Sequence, residues 1–207
     1  MSYGVHERHY LERAKSRLLE DTPEALFYAA FELRCFLEAR QDHYLDAQRQ
    51  YTKSVPEAAW KLSSQGKSLR AIYKEERIQQ IVWAFSEERQ LLLHHVPVTN
   101  RLRQLVGQLD TYRHAQSQYR DPEDEWWAVF RGRLVEVYRL AWVVLQGNLP
   151  SPALISRKGG KVIGNLIVEF DEKPDDLDLS SFVGAITMAH FSFLDQPPAE
   201  WVCDLPA

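Results

Sequence analysis

The sequence has few cysteines and no long apolar run, and each shortage excludes a class of protein. Cys35 and Cys203 are the two cysteines among 207 residues, and they lack the spacing of a metal or redox site. Reduced thiols are typical of a cytosolic protein. The longest strongly apolar run, 140–145, is far too short to cross a bilayer, and the charged N-terminal segment has no apolar signal core. We therefore expect a cytoplasmic protein without a membrane anchor.

A surplus of positive charge is also lacking. The chain has 25 basic and 29 acidic residues and a net charge of -4, so we do not expect a broad DNA-binding surface, although a local basic pocket is compatible with this charge. Its 45% hydrophobic and 26% charged residues are ordinary for a globular protein. The length predicts one large domain, or a domain with a subdomain.

The stretch 24–51 is the most densely apolar long helix that the sequence predicts. Thr22 is suited to the N-cap position and Pro23 to the first helical position. Arg34 and Glu38 are four residues apart, so we expect a partly buried polar pair that specifies packing or forms a site. Apolar residues cover so much of the circumference that this helix must contact neighbours on several sides. Those at three- and four-residue steps are Leu26, Ala30, Leu33, Leu37, Tyr44, Ala47 and Tyr51.

Further helices are predicted before and after this one by the same periodicity. They span about 5–20, 68–95, 100–117 and 122–147, with a short helix ending near Gly66. Thr99 or Asn100 opens the helix 100–117, and Asp121 is the predicted N-cap of the last helix, with Pro122 at its first position. The sequence therefore predicts a mainly α protein, with a helical bundle over residues 1–148.

The pattern changes after residue 148. Alternating apolar residues predict a strand over 161–170, with an earlier partner strand at 153–156. The segment 180–194 fits either a helix or a strand, and we favour a helix. Residues 149–207 are therefore predicted to form a small C-terminal α+β or β-hairpin appendage.

Arg89, His94 and His95 form the first candidate catalytic group. A neutral imidazole can remove a 2′-hydroxyl proton while a guanidinium stabilises charge at phosphorus, which is the chemistry of metal-independent RNA cleavage. The alternative is that Arg89 pairs with a surface acid and the histidines end a helix. Arginine and histidine at this spacing occur often by chance, so this alternative is favoured.

Asp110, Arg113 and His114 form the second candidate. Asp110 and His114 are four residues apart, so the carboxylate can fix the tautomer of the imidazole. An ion pair on a helix surface is the favoured alternative. Neither histidine group has zinc-site spacing, so we expect no metal site and no cofactor.

A basic turn supplies a third candidate, a phosphate-binding loop. Arg157, Lys158 and Lys161 surround two glycines, but the segment lacks the P-loop pattern and a basic hairpin turn is favoured. The acidic loop 171–178 lacks the EF-hand pattern and is interpreted as solvated. The adjacent Trp126 and Trp127 cannot share one side of a helix, so one is expected in the core and the other at the surface as a partner-binding anchor.

Two segments resemble HEPN-like proteins of bacteria. The first is 28–38, an alanine-containing helix in which Leu33-Arg34 is followed by Leu37-Glu38, and the second is 109–116. The resemblance covers residues 5–147 and implies a helical bundle, frequent dimerisation, and roles in RNA cleavage, toxin-antitoxin pairs or phage defence. The arginine-histidine motif of that family maps onto Arg89 and His94 or His95.

These observations favour an interaction or accessory subunit of a larger assembly. We expect a protein partner or a homo-oligomer. A metal-independent ribonuclease acting on RNA is the first alternative. The second alternative is a small-ligand sensor that uses Arg34 and Glu38.

Overall fold

The N-terminal part of the chain forms a helical hairpin. The computed structural model describes residues 3–47, 65–66, 69, 75–85, 90–112, 120–121, 123–155, 162–163 and 188–205. Helix α1 spans Glu7–Glu20 and α2 spans Pro23–Asp46. Asp21 joins them with a left-handed backbone, φ 51°. Thr22 then caps α2 by accepting a hydrogen bond from the Ala25 amide at 3.2 Å.

Both helices were predicted from the sequence. The stripe of α1, consisting of Leu11, Ala14 and Leu18, is buried as expected. The long helix is continuous to Asp46, and residues 48–51 of its predicted range lie outside the described residues. α2 is buried on several sides, and each fully buried large side chain on it contributes roughly 2 kcal/mol through loss of apolar surface. These side chains are Leu33, Phe36, Leu37 and Tyr44.

Two later helices pack on this hairpin. α3 spans Asn100–Gln108, with Thr99 as its N-cap, and a 3-10 turn follows at Leu109–Tyr112. α4 spans Glu125–Leu145 and contacts α1, α2 and α3. The end of the predicted helix 100–117 lies outside the described residues.

The predicted start of α4 was wrong by one turn. Asp124, rather than Asp121, is the N-cap, and its carboxylate accepts a hydrogen bond from the Trp126 amide at 2.9 Å. Asp121 instead accepts a hydrogen bond from the Glu123 amide at 3.0 Å, within the turn that leads into the helix. Because both aspartates have suitable neighbours, the sequence alone did not distinguish them.

A three-stranded antiparallel sheet replaces part of the predicted helical bundle. β1 spans Ile78–Ala84 and β2 spans Gln90–His95, so the prediction of a helix over 68–95 was wrong for these residues. β5 spans Met188–Leu194, so the preference for a helix at 180–194 was wrong there. The strand order is β2-β1-β5, and Ile81 is opposite both Leu93 and Phe191. The sheet thus joins residues from both sides of the predicted boundary at 148.

The predicted C-terminal strand pair is present in the part that the structure describes. β3, Leu154–Ile155, pairs antiparallel with β4, Val162–Ile163. The main core lies between the helices, and a smaller cluster lies on the three-stranded sheet. The protein is therefore mainly helical with a small sheet. Among the described residues, no helix has the length and hydropathy required to span a membrane.

Candidate functional site

The outward side of α2 forms a stripe with an apolar centre, which we call the α2 stripe. Its residues follow each other at alternating four- and three-residue steps, so they share one side of the helix. Tyr28 and Phe31 are 61% and 46% exposed, which is unusual for large side chains on a helix whose other sides are buried. The stripe consists of Glu24, Tyr28, Phe31, Cys35, Glu38 and Asp42.

Both ends of the α2 stripe are acidic. Glu24 precedes the aromatic pair, and Glu38 and Asp42 follow it. Arg34 lies beside the stripe, with its Nε 2.9 Å from Glu38 Oε1. Arg34 also forms a short ion pair with Asp110 in the 3-10 turn. The Arg34 guanidinium therefore pairs with two carboxylates. The contact between Arg34 and Glu38 was predicted, but its extension to Asp110 was not.

An aromatic cluster lies between α2, the 3-10 turn and α4. Phe27 is one helical turn before Phe31, and its ring centroid is 5.8 Å from that of Trp127. Trp126 and Trp127 are 4.9 Å apart in an edge-to-face arrangement, and both are half-buried. The expected division into one core and one surface tryptophan was therefore wrong. Tyr112 stacks on Phe130 with a centroid distance of 4.2 Å, which fixes the 3-10 turn against α4.

A buried charge cluster connects the start of α1 with the end of α2. Glu7 and Arg40 are 3% and 2% exposed, and Arg40 Nη1 donates to Glu7 Oε1 at 2.8 Å. His43 Nδ1 is 2.9 Å from the same carboxylate oxygen. Arg40 Nη2 also donates to the carbonyl oxygens of Val144 and Gly147, each at 3.2 Å. Arg40 therefore connects α1, α2 and the end of α4.

The charges in this cluster determine the protonation of Glu7. Burial raises the pKa of Glu7, but the hydrogen bond with His43 and the charge of Arg40 outweigh burial and lower this pKa to about 2. Glu7 is therefore a carboxylate at neutral pH. The buried position of an ionised carboxylate is compensated by these specific partners.

His94 and His95 lie in β2 rather than at a helix end. His95 is buried, with its Nδ1 3.0 Å from the Leu149 carbonyl oxygen, and burial lowers its pKa to about 4. His94 Nε2 is 3.2 Å from Gln80 Oε1, and burial also lowers its pKa. Both imidazoles are therefore neutral at neutral pH and directed into the protein. Arg89, the third member of this candidate group, lies outside the described residues.

The other predicted site residues fall mostly outside the described residues. Asp110 pairs with Arg34, whereas Arg113 and His114 are not in the described part. The same holds for the basic turn, Arg157, Lys158 and Lys161, and for the acidic loop 171–178. These candidates stay predictions.

A group of potential metal ligands was not predicted from the sequence. Within the described part of the chain, His6, Glu7 and His43 are the group whose imidazole nitrogens and carboxylate oxygens converge, all within 4.8 Å of one another. His6 and Glu7 are adjacent, but His43 reaches them only because α1 and α2 form a hairpin. No local spacing in the sequence signals this arrangement.

Comparisons with protein families, curated proteins and solved structures found no match to this chain.

Proposed function

We propose that this chain is an accessory subunit of a larger assembly and that its α2 stripe binds a basic amphipathic helix of a partner protein. The exposed pair Tyr28 and Phe31 is the observation that carries the proposal. Aromatic side chains in the centre of an interface supply much of its binding energy. An apolar centre between acidic ends is complementary to a helix that has apolar residues between lysines or arginines.

The charges disfavour a second copy of this chain as the occupant of the α2 stripe. If two stripes pack antiparallel with Phe31 at the centre, Glu24 of one lies opposite Glu38 of the other. Parallel packing also places acids near acids. Like charges at an interface cost free energy, although Arg34 offsets part of the charge of Glu38. The same carboxylates repel the phosphates of a nucleic acid.

The resemblance to HEPN-like proteins supports placing this subunit in a toxin-antitoxin or phage-defence assembly. The ribonuclease alternative receives no support from the described residues, because His94 and His95 are buried in β2. The small-ligand alternative is disfavoured because both Glu38 and Asp110 already pair with Arg34.

Two model peptides of equal length test the proposal. One is an amphipathic helix of leucine and lysine, and the other replaces each lysine with glutamate. We expect the full chain to bind the basic peptide and not the acidic one, as measured by fluorescence anisotropy. The double variant Tyr28→Ala/Phe31→Ala should weaken binding at least tenfold, since central aromatic side chains each contribute about 2 kcal/mol.

Val129→Ala is the matched control, because Val129 is an exposed apolar residue on α4 outside the stripe. Equal binding of both peptides, or equal weakening by Val129→Ala, would show non-specific adsorption and overturn the proposal. Light scattering of the free chain gives its oligomeric state and so tests whether a second copy of the chain covers the α2 stripe. A stable dimer that becomes monomeric in the double variant would assign the stripe to a second copy instead.

A further inference from the structure

The fold brings two histidines and one carboxylate together at one end of the α1–α2 hairpin. His6 is the N-cap of α1, Glu7 is its first residue, and His43 is in the last turn of α2. His6 Nε2 lies 3.4 Å from Glu7 Oε2, and His43 Nδ1 lies 2.9 Å from Glu7 Oε1. Four-coordinate zinc has bonds of about 2.0–2.1 Å, so its ligand atoms are about 3.3 Å apart. The separation between His6 and Glu7 Oε2 is close to this value, and the three ligand atoms all lie within 4.8 Å of one another.

The carboxylate in this group is held in place before any ion binds. Arg40 donates to Oε1 of Glu7 and is itself bound to the carbonyl oxygens of Val144 and Gly147. The guanidinium thus occupies Oε1, while Oε2 faces His6. Outer hydrogen bonds of this kind orient metal ligands in proteins. The positive charge of Arg40 opposes a bound cation, so we expect weaker binding than in a closed structural zinc site.

The exposure of the three side chains leaves a route for an ion. Glu7 is buried at the base of the cluster, His43 is half-buried, and His6 is exposed. Water can therefore reach the side of the cluster that His6 forms. Three protein ligands leave at least one coordination position for water or another small molecule.

We propose that His6, Glu7 and His43 bind one divalent first-row transition-metal ion, with Zn²⁺ as the simplest example. Imidazole ligands favour Zn²⁺, Co²⁺ or Fe²⁺ over Mg²⁺ and Ca²⁺, which prefer oxygen ligands. Nδ1 of His43 exchanges its hydrogen bond with Glu7 for a bond to the ion, and the imidazole proton is then carried by Nε2. Binding then connects the start of α1 directly to the end of α2, and the ion stabilises the folded chain through mass action.

The test uses the full chain with Zn²⁺ in calorimetric titration and with Co²⁺ in absorption spectroscopy. We expect one ion per chain, visible Co²⁺ bands that report nitrogen ligands, and a higher melting temperature with Zn²⁺ but not with Mg²⁺. His43→Asn should weaken Zn²⁺ binding at least tenfold. His6→Asn should weaken it as well, while keeping a side chain that can cap α1.

His190→Asn is the matched control, because His190 is an exposed histidine on β5. Thermal unfolding without metal shows whether each variant is folded. If His43→Asn does not fold, His6→Asn still tests the proposal. An absence of Zn²⁺ binding to the unsubstituted chain overturns the proposal. Zn²⁺ binding that is as strong in His6→Asn and His43→Asn as in the unsubstituted chain also overturns it, because it places the ion elsewhere.

Discussion

At the scale of single residues, buried His95 makes folding sensitive to mild acid. Its folded-state pKa of about 4 lies below the ordinary value of 6.5. Because the folded pKa is depressed, the unfolded chain binds the proton more readily. The contribution of neutral His95 to the free energy of unfolding is therefore fully present above pH 6.5 and is lost as pH falls towards 4. At 1.36 kcal/mol per pH unit, the loss between pH 6.5 and 5 is about 2 kcal/mol.

Urea unfolding at pH 7 and at pH 5 measures this loss. We expect His95→Gln to be less stable than the unsubstituted chain at pH 7 but to lose about 2 kcal/mol less between the two pH values. His190→Gln is the control for removal of an exposed imidazole. If His95→Gln and the unsubstituted chain lose equal stability, then His95 is not the acid-sensitive group.

Removal of the Arg40 guanidinium should be strongly destabilising, because Arg40 is buried and pairs with Glu7. Arg40→Met leaves the Glu7 carboxylate buried without its main cationic partner, and breaking a buried pair costs roughly 3–5 kcal/mol. Adding Glu7→Gln removes the orphaned charge, so the double variant should be more stable than Arg40→Met alone. Chemical unfolding of Arg40→Met, Glu7→Gln and the double variant tests this order. Additive losses would mean that the two residues act independently.

At the scale of elements, the two aspartates before α4 differ in a measurable way. Asp124→Ala removes the N-cap and should destabilise the protein by about 1 kcal/mol. Asp121→Ala removes only a side-chain bond to the amide of Glu123 in the preceding turn, so a smaller loss is expected. Thermal unfolding compares the two variants. The reverse order would place the functional cap at Asp121, where the sequence predicted it.

The helices were predictable because their signals are local. The cap at Thr22 and the stripe of Leu11, Ala14 and Leu18 depend on neighbouring residues, and the structure has both. The strands were not predictable in the same way. Ile78, Ile81 and Val82 fit a helical stripe as well as a strand, and the hydrogen bonds that select the strand come partly from β5, which is remote in sequence.

At the scale of the whole molecule, the candidate sites also combine contacts that local sequence predicts with contacts that only packing creates. The contact between Arg34 and Glu38 followed from their spacing on one helix, whereas the addition of Asp110 required α2 and the 3-10 turn to pack together. His43 likewise meets Glu7 only after the hairpin closes. Contacts between side chains of one helix could be predicted from their spacing. Contacts between side chains of different elements depend on packing angles, which composition and periodicity do not specify.

The position of β1 between β2 and β5 has a consequence for synthesis of the protein on the ribosome. β2 follows β1 closely and can cover one edge of it soon after both leave the exit tunnel. The opposite edge has its partner in residues 188–194, which are translated much later. Until then, the nascent chain presents a row of unpaired amides and carbonyls beside Ile78 and Ile81. We expect this interval to favour intermolecular strand pairing and protection by a chaperone to reduce it.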